Sequence, residues 1–111
     1  MKNYNVILQP LAQTDIKNIG DYIANTLCNP DAAIKLVDAF TEQFERIANF
    51  PMSGKPLDLD LPLENDYLLA FVENYVIFYI IDENAETATV MRVLYAGSDY
   101  LTRLLSEPAK Q

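Results

Sequence analysis

The run YVIFYII, Tyr75 to Ile81, offers no polar face. A strand that borders water alternates apolar and polar residues. One that is apolar on both sides is covered on both sides and belongs in the middle of a sheet. The run is also far shorter than a membrane span. The fold is therefore read outward from a central strand.

On one side of this run, ENY makes a tight turn back to a strand over about Tyr67 to Val72. On the other, DENAET leads to a strand over about Thr87 to Tyr95. A further strand comes from NYNVILQ, Asn3 to Gln9, where Tyr4, Val6 and Leu8 alternate with Asn5, Ile7 and Gln9. Pro10 then stops the strand and can open a helix.

From Leu11 to about Leu27, Ala12, Ile16, Ile19, Ile23 and Leu27 recur every three or four residues, which predicts an amphipathic helix. Asp15, Lys17 and Asp21 are placed off that stripe. Gly20 inside the helix marks either close packing on the next helix or a mild defect costing up to ~1 kcal/mol. The string CNPDAA is a boundary: Asn29 suits an N-cap, Pro30 the first helical position, and Asp31 the helix dipole. The second helix runs to about Asn49 with the stripe Ala33, Leu36, Val37, Phe40, Phe44, Ile47 and Ala48. So short a joint predicts an antiparallel helical hairpin whose apolar stripes cover the strands.

The stretch from Phe50 to Asp66 holds three prolines and one glycine and reads as a loop, either functional or a connector whose leucines tuck against the core. GSDYLTRLL reads as a short last helix with Ser98 as N-cap. The expected class is α+β in the order β-α-α-β-β-β-α. It is a mainly antiparallel four-stranded sheet with the N-terminal hairpin packed on one face. One domain over residues 1–111 fits the length.

Composition narrows the chemistry. The net charge is −8, from sixteen acids and eight bases, which counts against general phosphate binding. Histidine is absent, which removes the commonest general base and the commonest metal ligand. No metal or cofactor is expected. Cys28 is the sole cysteine, so no internal disulfide can form, and nothing activates it as a nucleophile. With neither a secretory leader nor a membrane span to read, the expected location is the cytoplasm.

The order of elements, with four local strings, resembles the RelE/ParE superfamily of bacterial type II toxins. The strings are LAQTDIKNIGDYIA, NPDAAIKLVDAFTEQFERIANFP, NYVIFYIID and VMRVLYAGSDY, and the resemblance runs from Tyr4 to Leu105. It implies a small toxin neutralised by a cognate antitoxin, with toxin–antitoxin hetero-oligomers as a further expectation. RelE-like members cleave mRNA in the ribosomal A site, and ParE-like members inhibit DNA gyrase. The spacing D-I-x-x-I-x-x-Y-I in the first helix looks closer to the ParE side. A non-toxic, antitoxin-binding relative is the third alternative.

The same resemblance points to site residues. Strict alternation puts Val90, Arg92 and Leu94 on one face, so Arg92 is expected to emerge on the side of the sheet that the helices leave open, ready for a phosphate or a partner. The alternative is an internal ion pair with Asp82, Glu73, Asp99 or another acid. Tyr95 matches a position where RelE-like enzymes often carry histidine, and Lys55 lies where some ribonuclease relatives place basic residues. Arg92, Tyr95 and Lys55 form the catalytic set only if the chain is a nuclease. Arg92, Tyr100 and Arg103 are the expected partner-binding residues. Relatives usually carry an arginine early in the strand after Tyr67, where this chain has Leu68 and Leu69. Losing one preorganised charge stabiliser costs on the order of a hundredfold in rate, so efficient RNA cleavage is not expected.

Overall fold

A computed structural model describes residues 3–57 and 66–97. The described elements are β1 (Asn5–Leu8), α1 (Pro10–Asp21), α2 (Pro30–Asn49), β2 (Lys55–Pro56), β3 (Leu68–Val72), β4 (Tyr75–Asp82) and β5 (Thr87–Tyr95). The strands form one sheet in the order β1-β5-β4-β3-β2. β1 runs parallel to β5, and every other neighbouring pair is antiparallel. β4 lies in the centre, as its two apolar faces require. The strand beyond the expected four is β2, two residues from the proline-rich stretch that pair with Leu68 and Leu69. The expected last helix from Ser98 onward lies outside the described residues.

Each helix follows from local chemistry. Pro10 occupies the first turn of α1, where a missing N–H costs nothing. The α-helix stops at Asp21, earlier than the apolar spacing predicts. Tyr22–Thr26 then form a π turn closed by the Leu27 N–H donating to the Tyr22 carbonyl at 3.0 Å. Cys28 follows with φ 53, a left-handed residue that reverses the chain. Asn29 caps α2 by accepting from the Ala32 N–H at 3.2 Å, with Pro30 next, as the sequence predicts. Gly20 has nothing within 4 Å of where a Cβ would stand. Of its two readings, the mild defect holds and the close helix contact does not.

The core has two parts. Ala12, Leu36, Phe40 and Ile47 of the helices meet Val72, Ile77, Tyr79, Val90 and Val93 of the sheet. On the other side of the sheet, Leu69, Val76, Phe78 and Leu94 are also buried, with Leu57, Tyr67 and Ala96 against them. The face opposite the hairpin is thus a second packed layer at its centre rather than bare β-surface. Each large apolar side chain taken fully from water contributes roughly 1.5–3 kcal/mol. Val37, expected in the stripe of α2, is 40 % exposed, as its place on the helix flank beside exposed Ile34 dictates. Among the described residues no helix is long and apolar enough to cross a membrane.

Candidate binding cleft and the buried ion pair

β5 is interrupted just before Arg92. Phe78 pairs with Arg92, but the next residue, Tyr79, pairs with Val90, so Met91 is an extra residue on β5. Such a bulge resets the alternation of side chains and strengthens the local twist. Val90 and Val93 consequently pack in one cluster while Leu94 packs in the other. Strict alternation would have separated Val90 from Val93.

Arg92 does not emerge on an open face. It is 5 % exposed, and its guanidinium is forked onto Asp15 of α1. Nε donates to Oδ2 at 2.7 Å and Nη2 to Oδ1 at 2.9 Å. The Val93 N–H donates to the same Asp15 Oδ2 at 3.0 Å. The parallel pairing of β1 with β5 ends at Leu8 and Val90. Beyond that point the Asp15 carboxylate takes the acceptor role for this N–H of the outer edge. Asp15, 8 % exposed, is therefore buried between α1 and β5, not off the stripe as expected. The sequence holds the signal for this. Asp15 stands three residues after Ala12 and four before Ile19, on their face, and an acid there needs an internal partner.

The other expected site residues are dispersed. Lys55 pairs with Leu69, Leu69 with Phe78, and Phe78 with Arg92, so Lys55 and Arg92 stand in one row across the sheet. Three strand spacings of ~4.8 Å put their backbones roughly 14 Å apart, too far to share one phosphate. Lys55 is exposed on β2. Tyr95 ends β5 at 46 % exposure, three residues beyond Arg92. Tyr100 and Arg103 lie outside the described residues. Among the described residues no group of three or more His, Cys, Asp or Glu is placed to hold a metal.

What the structure does gather is an open cleft of about 780 Å³ between the end of α1, the start of α2, the β3–β4 turn and the end of β5. Ile19, Ile23 and Leu27 supply an apolar wall, and Tyr22, Tyr75 and Tyr95 supply aromatic rings. The Tyr75 and Tyr95 rings meet edge-on at 5.8 Å, and Tyr75 meets Phe40 in the same way at 5.9 Å. Glu73, in the left-handed region at φ 53, turns the chain between β3 and β4 at the cleft's rim. Burial raises the pKa of the Tyr75 phenol, and nearby Tyr95, Tyr22 and Glu73 raise it further. Sequence reading missed Tyr22, Glu73 and Tyr75, because only the π turn and the β3–β4 turn bring them together.

The family model of the ParE toxin of type II toxin–antitoxin system parDE matches residues 6–100. The RelBE2 toxin–antitoxin complex from Mycobacterium tuberculosis is similar over 84 % of this chain and 98 % of its own, at 22 % identity and a TM-score of 0.59. The chromosomal ParDE toxin–antitoxin system from P. aeruginosa is similar over 83 % of this chain and 95 % of its own, at 16 % identity and a TM-score of 0.66. At such identities these two likenesses concern the fold. A comparison with curated proteins finds no match.

Proposed function

The chain belongs to the ParE toxin family of type II toxin–antitoxin systems, and from that premise we propose that it is a binding toxin directed at DNA gyrase and held inactive by a cognate antitoxin. The observation that carries this reading is the fork between Arg92 and Asp15. In a RelE-like ribonuclease the strand arginine would hold the scissile phosphate. Here that guanidinium is buried and engaged by a carboxylate. A phosphate would have to displace Asp15 and leave its charge buried without a partner, at a cost of several kcal/mol.

Three further features support the reading. Leu68 and Leu69 stand where relatives usually carry a second arginine. No histidine is present to move a proton. The net charge of −8 opposes approach to the dense phosphate surface of a ribosome. A binding toxin needs none of the missing groups; it needs a shaped surface.

The test is induced expression with and without the adjacent antitoxin gene, followed by two assays on purified protein. Growth arrest relieved by the antitoxin, inhibition of gyrase supercoiling and intact ribosome-bound mRNA are expected. A-site cleavage would instead assign the RelE-like activity, with Arg92, Tyr95 and Lys55 as its residues. Normal growth on overexpression would make the chain a non-toxic antitoxin-binding relative.

A further inference from the structure

The cleft at the end of α1 has a consistent electrostatic sign. Its described lining holds Glu73, three tyrosines and several asparagines, and neither lysine nor arginine is among them. The charge of the other lining acid, Asp15, is already matched by Arg92. An aromatic ring presents a negative face that attracts a cation within about 6 Å. Tyr22 projects from the π turn at 52 % exposure and Tyr95 ends β5 at 46 %, so two of the rings stand at the mouth. Burial, and after it Tyr95, Tyr22 and Glu73, keep the Tyr75 phenol protonated, so its ring is a neutral aromatic surface with the Glu73 carboxylate nearby.

We infer that the cleft receives a lysine or arginine side chain of the cognate antitoxin, its cation against Tyr22, Tyr75 and Tyr95 beside the Glu73 carboxylate, its aliphatic stem along Ile19 and Ile23. This rests on the antitoxin-neutralised reading above. The occupant follows from charge and size. A chain at −8 attracts a basic segment. A cleft of about 780 Å³ admits more than one side chain, so a stretch of peptide enters with the cation. A second copy of this chain, equally acidic, would bring like charge to the same place. An antitoxin is the partner that membership of a toxin–antitoxin family supplies.

The experiment titrates the full chain with the antitoxin encoded beside it, by calorimetry at low and moderate salt. Circular dichroism checks that each variant is folded. Tyr22→Leu and Glu73→Gln are each expected to weaken binding roughly two- to fivefold, the size of an exposed cation–π contact and of an exposed ion pair respectively. Tyr22→Phe, which keeps the ring, is expected to bind as the parent does. Replacing the antitoxin's lysines and arginines one at a time by methionine is expected to reveal one position whose loss is no longer felt in Tyr22→Leu. Parent-like affinity in both Tyr22→Leu and Glu73→Gln overturns the proposal and leaves the antitoxin reading intact. Failure of the unaltered chain to bind the antitoxin overturns that reading itself. A self-associated dimer dispersed by Tyr22→Leu, or lost gyrase inhibition with unchanged antitoxin affinity, assigns the cleft to another occupant and overturns the proposal.

Discussion

Asp15 and Arg92 stand 77 positions apart and meet through two charge-assisted hydrogen bonds, with the Val93 N–H as a third donor to the carboxylate. The pair fastens the first helix to the last described strand. Removing either partner strands a buried charge. Asp15→Ala or Arg92→Ala is therefore expected to destabilise the fold by about 3–5 kcal/mol in urea denaturation. The double variant Asp15→Leu/Arg92→Met removes both charges and keeps apolar volume, and is expected to be more stable than either alanine variant. It also separates fold from function. If the double variant still inhibits gyrase, Arg92 acts as a fastener; abolished inhibition in a folded double variant would refute that.

The Tyr79 hydroxyl donates to the Pro51 carbonyl at 2.9 Å and so pins the turn Pro51–Ser53 against the sheet. A Cβ on Gly54 would come within 2.9 Å of the Tyr79 ring and 3.0 Å of the Leu68 Cβ. Gly54→Ala is expected to cost about 1–3 kcal/mol by overpacking. The same change in a Tyr79→Phe background is expected to cost less, because the closest obstacle is then gone. Equal costs in the two backgrounds, measured by a double-mutant cycle, would rule the contact out.

Gly20 offers the opposite case. Nothing lies within 4 Å of its would-be Cβ. Gly20→Ala is expected to raise stability by up to ~1 kcal/mol, through helix propensity alone. A thermal melt that shifts downward would show instead that α1 needs this glycine to enter the π turn.

Alkali should unfold the chain in a defined direction. Burial raises the pKa of Tyr79 above its usual 10.0, with hydrogen bonding at Gly54 and Ser53 opposing the rise; burial also raises that of Tyr75. Unfolded phenols then lose protons before the native ones do, so the native state binds more protons above about pH 10. The stability these groups contribute is full below that pH and is lost as pH climbs through their raised values. Urea midpoints measured from pH 9 upward are expected to fall, and to fall less steeply in Tyr75→Phe/Tyr79→Phe.

Much of the fold could be read from local signals. The doubly apolar run became β4, the Asn29–Pro30 cap placed α2, and the hairpin covers one face of the sheet as its stripes require. The site was less legible because it depends on irregularities that periodicity does not carry. An extra residue at Met91 re-aims β5, and a π turn re-aims Tyr22. Alternation counted straight through Met91 puts Val90 on the face of Leu94, although it packs with Val93, and it says nothing of the carboxylate that buries Arg92. A helix stripe drawn only through apolar residues passes over Asp15, although its spacing from Ala12 and Ile19 puts it on their face.

The parallel pairing of β1 with β5 has a consequence for how the protein is made. The first strand to leave the ribosome finds its neighbour only when the last described strand has also emerged. Until then α1 lacks the guanidinium that anchors it, and the aromatic cleft lacks one of its walls. A nascent chain halted before Thr87 thus has neither a neighbour for β1 nor a cation for Asp15, and both arrive together in a single late step.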